Sequence, residues 1–432
     1  MTLRAHPELP WLGAIPEHWR VERGRFVLRQ ETRAPDDDDG VVTAFRDGQV
    51  TLRENRRTEG FTIAIKETGY QGVRRGDLVI HSMDAFAGAI GVSESDGKCT
   101  GEYVVCNTFS GEFDNRYYAR VLRQMALKGF IYVICPSVRE RAPRFRFARL
   151  KDAYLPVPPP DAQKAIADFL DRKTAAIDAL IEKKQKLLDL LAEKRAALIN
   201  QAVTKGLDPN VPMKDSGIPW IGEIPAHWSA APLYSRYDVQ LGKMLNTSRV
   251  SGQFLAPYLR NANVQWDRIV LSDLKEMDFS AADRMKFALR PGDILMCEGG
   301  ANAKVIGRSA VWEGQLAECY YQKALHRVRS FADGEVPRFL LFAFRAACDL
   351  GVFVADANAN IFHLPAEKLR VLRFAFPPPE EQAEIVETVD AELRRSRATA
   401  AAVGAQIQRL REYRQALITA AVTGQLDVEA AA

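Results

Sequence analysis

The hydrophobic residues of this chain follow a spacing of alternating three and four residues after each of two triple prolines, 158–160 and 377–379. Such spacing is typical of a helix that packs along one seam against another helix. After the first triple proline the apolar seam positions are Ile166, Leu170, Ile177, Leu180, Leu187, Leu191 and Leu198, with Lys173, Lys184 and Lys194 at the remaining positions. After the second they include Val389, Leu393, Val403, Ile407, Leu410 and Leu417. The pattern predicts two helices, each about 65 Å long at about 1.5 Å per residue.

Each predicted helix needs a packing partner, because a helix of this length with one apolar seam is not stable alone in water. The chain supplies a second helix of equal length, and the globular segment between the two favours an antiparallel pair related by pseudo-twofold symmetry. The alternative is that each helix packs only on its neighbouring globular segment, since a hydrophobic pattern does not identify the partner.

An internal repeat accompanies the two helices. Residues 10–19 (PWLGAIPEHW) and 219–228 (PWIGEIPAHW) are identical at seven of ten positions, and residues 198–208 and 417–427 at seven of eleven. Between the tryptophan and the triple proline the copies diverge, and they share little beyond a Gly-Asp pair, 76–77 and 292–293, before an apolar strand-like run. The sequence therefore predicts a duplicated scaffold that carries two different globular domains.

The predicted fold class is α+β, with two mixed domains separated by two long antiparallel helices and a pseudo-twofold internal repeat. The predicted segments are a first domain at 1–157, a first helix at 158–204, a linker at 205–218, a second domain at 219–376, a second helix at 377–424 and a tail at 425–432.

Composition narrows the class of protein. With 47% hydrophobic and 26% charged residues among 432, the chain can bury cores and is not disordered. A net charge of +4 permits a polyanionic partner without identifying one. The six cysteines form no Cys-x-x-Cys pair, and no stretch is apolar for the length of a membrane crossing. We expect a cytoplasmic protein with no membrane partner.

The motifs of several enzyme classes are missing from the sequence. It has no phosphate-binding G-x-x-x-x-G-K-[ST] loop, no G-x-G-x-x-G opening a helix and no Asn/Asp-Pro-Pro-aromatic run of an amino-methyltransferase. Asp293 and Glu298 lack the lysine that would complete a nuclease metal site. His18 and His227, each beside a tryptophan of the repeat, are interpreted as structural residues. We therefore expect no catalytic residues and no metal site.

Cationic and amide side chains form the candidate DNA-binding set, because cations neutralise phosphates and amides pair with base edges. The first domain offers Arg53, Arg56 and Arg57, and then Arg144 and Arg146 interleaved with phenylalanines. The second offers Arg260, Asn261, Asn263, Gln265, Asn302, Lys304, Arg308, Asn358 and Asn360. The alternative for each arginine is an ordinary solvated surface, and for each amide a role in a turn.

These motifs together resemble the specificity subunit of type I restriction-modification enzymes. The resemblance rests on the repeated PW-x-G-x-IP-x-HW, on PPPDAQKAIADFLD and PPPEEQAEIVETVD, and on the LI-x-x-AVT endings, so it covers nearly the whole chain. Target recognition domains of that family are similar to GDLVIHSMDAFAGAIGVS in the first domain and to YLRNANVQWDR, RPGDILMCEGG and ECYYQKALHRV in the second. The resemblance adds His81, Ser82, Asp84 and Lys323 to the candidates.

The resemblance implies a non-catalytic subunit that reads double-stranded DNA. Each recognition domain would bind one half of a split target, and the helices would set the spacer. The implied partners are two methyltransferase subunits that use S-adenosylmethionine and restriction subunits that translocate DNA with ATP and Mg²⁺, so this chain would bind no cofactor itself. The alternatives are a stand-alone DNA methyltransferase or nuclease, and a coiled-coil scaffold with no role on nucleic acid.

Overall fold

The computed structural model describes residues 2–56, 69–135, 144–245, 252–300, 306–332, 334–354, 362–428 and 430. Its contacts divide the chain into two compact units. Unit 1 comprises Met1–Lys184 and Ala405–Ala432, and unit 2 comprises Gln185–Gly404. The division falls inside two long helices, so each unit contains one part of both helices.

The elements of unit 1 are short apart from one helix and the long helices. Its strands are β1 (Leu3–Ala5), β2 (Ala14–Pro16), β3 (Arg20–Arg23), β4 (Leu28–Gln30), β5 (Val42–Ala44), β6 (Val50–Leu52), β7 (Gln71–Val73), β8 (Leu78–His81), β9 (Ile90–Val92), β10 (Gly97–Cys99), β11 (Tyr103–Thr108) and β12 (Tyr154–Val157). Its helices before the long ones are α1 (Gly24–Val27), α2 (Asn115–Leu127), α3 (Phe130–Ile134) and α4 (Phe147–Leu150).

The long helix α5 (Pro160–Lys205) follows β12 in the chain, and the second long helix, α9 (Pro379–Val422), is the last element of the described chain. Unit 2 has the strands β13 (Met213–Asp215), β14 (Glu223–Pro225), β15 (Ser229–Pro232), β16 (Tyr237–Leu241), β17 (Leu255–Leu259), β18 (Val264–Gln265), β19 (Arg268–Ile269), β20 (Lys275–Asp278), β21 (Ile294–Cys297), β22 (Gly299–Gly300), β23 (Ser309–Val311), β24 (Tyr320–Tyr321), β25 (Leu325–Ser330), β26 (Phe362–His363) and β27 (Arg373–Phe376). Its shorter helices are α6 (Ala281–Phe287), α7 (Pro337–Asp349) and α8 (Ala366–Val371).

The two units share a core motif although their sequences diverge. Unit 1 has a four-stranded antiparallel sheet in the order β4-β11-β8-β9, and unit 2 has one in the order β16-β25-β21-β23. In both, a helix of 13 residues, α2 or α7, follows the long strand β11 or β25. This arrangement confirms the predicted α+β fold with a repeated architecture.

The shared Gly-Asp pair has a structural cause in both sheets. Asp77 and Asp293 precede the central strands β8 and β21 and are nearly buried, at 3% and 1% exposure. Each carboxylate accepts a backbone hydrogen bond across its turn, from Arg74 N at 2.8 Å and from Arg290 N at 2.7 Å. Arg329 adds two bonds of 2.6 Å to Asp293. A buried carboxylate requires such partners, so the pair recurs where neighbouring residues diverge.

The two long helices pack against each other in antiparallel directions within each unit. In unit 1 the first part of α5 shares a core with the last part of α9, through Ile177 and Leu417, and Asp178 forms an ion pair of 2.9 Å with Arg414. In unit 2 the last part of α5, including Ile199, shares a core with the first part of α9. The helices also contact the globular part of each unit, so helix pairing and packing on the globular part occur together, and the alternative of packing on the globular part only is wrong.

The predicted seam of α5 is wrong at four positions, namely Lys173, Leu180, Leu187 and Lys194. Leu180 and Leu187 are exposed at 42% and 41%, whereas their neighbours Ile181 and Leu188 are partly buried. Thr174 is only 6% exposed, whereas the prediction placed its neighbour Lys173 in the seam. From residue 173 onwards, every second seam position therefore lies one residue later than predicted, which leaves Lys173 and Lys194 in solvent. Apolar residues occupy both candidate rows of α5, so its hydrophobic pattern fits two registers.

The other seam predictions coincide with inward-facing positions. The buried residues are Ile166, Leu170, Ile177, Val389, Leu393, Val403, Ile407 and Leu417, and the partly buried ones are Leu191, Leu198 and Leu410. The six-segment division of the chain predicted above remains a prediction, since the compact units follow a different criterion. None of the described helices is long and apolar enough to cross a membrane.

Candidate nucleic-acid interface

The repeated tryptophan holds the end of a long helix in each unit. In unit 2, Trp228 is 1% exposed and its ring centroid lies 6.4 Å from that of Phe339, edge to face at 82°. Gly206, which follows α5 with a φ of 75°, lies so close that an added Cβ would be 3.3 Å from the tryptophan Cζ2. Glu381 on α9 accepts a hydrogen bond of 3.0 Å from the indole nitrogen.

Unit 1 has the same kind of joint at the end of α9. The ring of Trp19 lies 6.5 Å from that of Tyr117 at 83°. Gly424, which follows α9 with a φ of 67°, would place a Cβ 2.7 Å from the tryptophan Cζ2. The tryptophan of the His-Trp motif is thus a packing joint in both units. His18 and His227 are themselves exposed, so their interpretation as structural residues stays a prediction.

A buried glutamine anchors the start of each long helix. Gln163 accepts a bond of 3.1 Å from the backbone of Asp114, the N-cap of α2, and donates to Pro158 O at 2.9 Å. Gln382 accepts one of 3.1 Å from Val336, the N-cap of α7, and donates to the first proline of its triple proline at 3.0 Å. Sequence reasoning missed these residues, although both stand at the third position after PPP.

An arginine joins each 13-residue helix to a long helix. Arg116, the second residue of α2, forms an ion pair of 3.0 Å with Asp171. Arg338, the second residue of α7, donates to Asp390 at 2.6 Å. Asp171 and Asp390 occupy equivalent positions of the repeat, 219 residues apart. The same three kinds of joint therefore fix the globular part to the helices in both units, although the surface residues of the two units differ.

A cavity of about 590 Å³ in unit 1 brings four predicted DNA-binding residues together. Arg53, Arg56, His81 and Asp84 line it, with further lining from Thr43, Ala44, Phe45, Arg46, Asp47 and Tyr103. The residues come from β5, the segment after β6, the end of β8 and the start of β11. Its volume falls in the ordinary range of ligand pockets, and its wall combines cations with aromatic rings.

Ion pairs and an aromatic face orient the arginines of the cavity. The Arg56 guanidinium lies 4.3 Å from the Phe45 ring centroid and 2.7 Å from a carboxylate oxygen of Asp47. Arg46, 67% exposed, forms a pair of 2.9 Å with Asp84. Guanidinium groups so arranged can exchange an exposed carboxylate for a phosphate or a base edge, because solvated ion pairs contribute little stability.

His81 is held as a neutral ring beside the cavity. Its Nδ1 accepts a bond of 3.1 Å from the backbone N–H of Asp84, which leaves Nε2 as the protonated nitrogen. Burial lowers the pKa of His81 against the opposing attraction of Asp84. Its ring packs edge to face on Tyr103 at 4.5 Å, and burial raises the pKa of that phenol to about 12. The His81 ring and the Tyr103 hydroxyl are therefore neutral hydrogen-bonding groups at physiological pH.

Arg144 and Arg146 converge on one carboxylate close to His81. Glu102 lies 3.1 Å from Arg144 and 3.4 Å from Arg146, and all three side chains reach solvent. Ser82 donates to the same carboxylate at 3.3 Å, but it is 1% exposed and its carbonyl accepts the N–H of Phe145 at 3.0 Å. The structure thus gives Ser82 a role in holding the arginine segment rather than a place on the surface.

In unit 2 the predicted Asn263 is a turn residue. It is 2% exposed, its oxygen accepts the N–H of Arg260 at 2.9 Å, and its amide donates to Val270 O at 2.9 Å. The Arg260 side chain pairs with Asp273 at 2.6 Å. The alternative that the sequence left open, an amide used for a turn, describes Asn263, so its prediction as a base contact is wrong in this conformation.

Asn261 and Arg308 form a partly satisfied polar pair nearby. Arg308 donates to Asn261 O at 2.8 Å, and the Asn261 amide donates to Gly299 O at 3.3 Å. Within the described ranges, Asn261 Oδ1 and Arg308 Nε are buried without a hydrogen-bond partner. Such unpaired groups are costly unless a ligand or water reaches them.

The remaining predicted residues are scattered. Lys323 is exposed, and Gln265 donates to Ala262 O at 3.0 Å. Arg57, Asn302, Lys304, Asn358 and Asn360 lie outside the described residues. Across the ranges that the structure describes, no group of three or more His, Cys, Asp or Glu side chains is placed to hold a metal ion.

Comparison with known proteins gives a domain match for part of the chain and a shared fold for nearly all of it. No curated protein matches the sequence. The family model of the type I restriction modification DNA specificity domain matches residues 73–189. This range contains β8 to β11, α2 and the first part of α5.

Two solved structures share the fold over nearly the whole chain. One is a chain from "Structural basis underlying complex assembly and conformational transition of the type I R-M system", 17% identical with a TM-score of 0.64, covering 95% of this chain and 99% of that one. The other is the HsdS subunit from Thermoanaerobacter tengcongensis, 16% identical with a TM-score of 0.55, covering 95% and 98%. Residues 73–189 therefore match a type I restriction modification DNA specificity domain, and the chain shares its fold with these two solved structures.

Proposed function

We propose that this chain reads a split DNA target, with one half bound by the globular part of unit 1 and the other by that of unit 2. One observation carries the proposal: the two units share the same structural joints but present two unlike surfaces. In unit 1 that surface is the cavity of Arg53, Arg56 and His81. In unit 2 it is the segment around Asn261 and Arg308. In this proposal the long helices set the number of base pairs between the halves.

In this proposal the chain itself catalyses no reaction. Two methyltransferase subunits with S-adenosylmethionine would dock on the repeated scaffold, and restriction subunits would supply ATP- and Mg²⁺-dependent translocation and cleavage. The similarity to a chain from a study of type I complex assembly supports this arrangement. No cofactor would bind to this chain, and its expected cytoplasmic location stays a prediction.

Binding of the purified chain to DNA tests the proposal. We expect fluorescently labelled duplex fragments to bind with an affinity that falls steeply as NaCl rises, because phosphate contacts release counterions. The double variant Arg53→Ala, Arg56→Ala should weaken binding about tenfold, and for each phosphate interaction removed the slope of log affinity against log salt should decrease by about 1. The measurement is fluorescence anisotropy over a series of salt concentrations.

Arg172→Ala is the matched control, because Arg172 is an exposed arginine on α5 away from the cavity. It should leave both the affinity and the salt slope unchanged. Negligible binding at low salt would support the scaffold alternative instead. Cleaved or methylated DNA from the chain alone, with Mg²⁺ and S-adenosylmethionine, would support the enzyme alternative.

A further inference from the structure

A two-residue turn in unit 2, Trp266 and Asp267, connects the short strands β18 and β19. The hairpin is part of the surface of unit 2 that is proposed to read DNA, and the Val270 N–H closes its base by donating to Asn263 O at 2.7 Å. The turn also contacts the neighbouring strand β23, because the Asp267 N–H donates to Ser309 O at 3.0 Å. The position of this turn therefore constrains the proposed reading surface.

Asp267 has a backbone conformation that favours glycine. Its φ is 57°, and it is the one non-glycine residue with a positive φ in the described part of the chain. The turn alone would favour glycine or asparagine at this position. A residue in such a conformation persists when the surrounding contacts over-determine it. The contacts of its carboxylate explain why an aspartate occupies the position.

Two arginines bind the Asp267 carboxylate. Arg338, the second residue of α7, donates to one oxygen at 2.5 Å and to the other at 3.1 Å. Arg397 on α9 donates to the carboxylate at 2.9 Å. Burial raises the pKa of Asp267, but the bonds from the two guanidinium groups outweigh it and lower the pKa, so the carboxylate is charged at neutral pH.

These contacts connect the turn to α9 by two routes. Arg397 is itself a residue of α9, and Arg338 also donates to Asp390 of α9 at 2.6 Å. The network of Asp267, Arg338, Asp390 and Arg397 is here called the turn clamp. It joins the reading surface of unit 2 to a long helix, and a charged hydrogen bond makes each of its connections.

The bond from Arg397 to the turn is not shared by the internal repeat. The equivalent residue, 219 positions earlier, is Asp178, whose carboxylate pairs with Arg414 at 2.9 Å. In unit 1 the turn at residues 45–49, between β5 and β6, is instead held by Arg123 of α2, which donates to a carbonyl group of that turn at 3.1 Å. The turn clamp therefore accompanies the diverged surface of unit 2 rather than the shared scaffold.

We propose that the turn clamp fixes the reading surface of unit 2 at one position relative to α9 and thereby restricts the number of base pairs accepted between the two half-sites. This inference rests on the proposed function, in which the long helices set that number. A target with a longer or shorter spacer requires the reading surface to move relative to α9, and the clamp must open to allow it. The free energy of the clamp therefore adds to the discrimination against altered spacers. Asp267 and Arg397 act as positioning residues, through the reading surface and not by contact with DNA.

Asp267→Asn tests the clamp, because asparagine keeps the shape of the side chain and tolerates a positive φ while it removes the charge. The wild-type chain and the variant are each expressed with the proposed methyltransferase partners. Methylome sequencing of the wild type identifies the target and its spacer. Methylation rates are then measured on duplexes with that spacer and with one base pair more or fewer. We expect the ratio of rates between the correct and the altered spacers to fall about tenfold in the variant, as for loss of a hydrogen bond between charged groups.

Asp267→Gly separates the clamp from the conformation of the turn. Glycine adopts a positive φ without strain, but it has no carboxylate for the two arginines. We expect this variant to lose discrimination between spacers to the same extent as Asp267→Asn. If the aspartate served only the turn, Asp267→Gly would keep the wild-type ratio, and the inference would be wrong.

A second pair of variants tests the contact with α9 alone. Arg397→Ala removes the bond from α9 and leaves the bonds from Arg338 to Asp267 in place, so the ratio should fall about threefold, as for a solvent-exposed ion pair. Arg395→Ala is the matched control, two residues earlier on α9. Arg395 is 77% exposed and pairs with Glu392 of the same helix, so its removal should leave the ratio unchanged.

Two results would overturn the inference. The first is a wild-type ratio in both Asp267→Asn and Arg397→Ala. The second is an equal loss of rate on all three spacers, which a general loss of stability would produce. A wild-type complex that methylates no split target would contradict the proposed function itself, so the failure of the proposed function and the failure of the clamp give different results.

Discussion

Ile177→Asp is expected to destabilise unit 1 by about 4 kcal/mol or more, because it places an unpaired carboxylate in the core shared by α5 and α9. Ile177 is 8% exposed and belongs to the same core as Leu417 and Ile418. Urea unfolding followed by circular dichroism measures the destabilisation, and hydrogen–deuterium exchange should locate it to residues 160–181 and 410–424.

Leu180→Asp is the matched control for the helix pairing. It introduces the same residue three positions later on the same helix, at a side chain that is 42% exposed. We expect a change of no more than about 1 kcal/mol, most of it from the lower helix propensity of aspartate. If Leu180→Asp proved the more damaging of the two, the register of α5 described above would be refuted.

Trp228→Ala is expected to cost about 3–5 kcal/mol in unit 2, the range for removing a large buried aromatic side chain. The substitution opens a cavity against Phe339 and Gly206, and it leaves the Glu381 carboxylate without its indole donor. Thermal unfolding and hydrogen exchange of residues 200–206 and 337–349 measure the effect.

Tyr234→Ala serves as the comparison for this tryptophan. Tyr234 is an aromatic residue six positions later with 56% exposure, so its removal should change stability by no more than about 0.5 kcal/mol. Equal stability of the two variants would mean that the repeated His-Trp motif is not a structural joint and that its recurrence in the two copies needs another cause.

The sequence predicts the long helices better than the surface of the globular parts. The physical reason is that a helix depends on residues close together in the chain, whereas a surface site depends on contacts between distant ones. The spacing of apolar residues predicts α5 and α9, because helical periodicity is local. The register of α5 is not predictable at Leu180 and Leu187, since Ile181 and Leu188 offer an equally apolar row and only tertiary contacts choose between them.

The candidate site depends on contacts between residues that are far apart in the sequence. Arg53 and His81 meet in one cavity because β6 and β8 belong to neighbouring parts of the unit 1 fold. The residue type of Asn263 predicts a DNA contact, whereas its burial and backbone bonds follow from the turn it closes.

The proposal that two units read two halves independently is tested most directly by exchanging one of them. Residues 20–157 would be replaced by the corresponding segment of a type I specificity subunit, and the hybrid expressed with the proposed methyltransferase partners. Methylome sequencing then reports the recognised site. We predict that one half of the target changes while the other half is retained. A change in both halves, or in neither, would contradict the account.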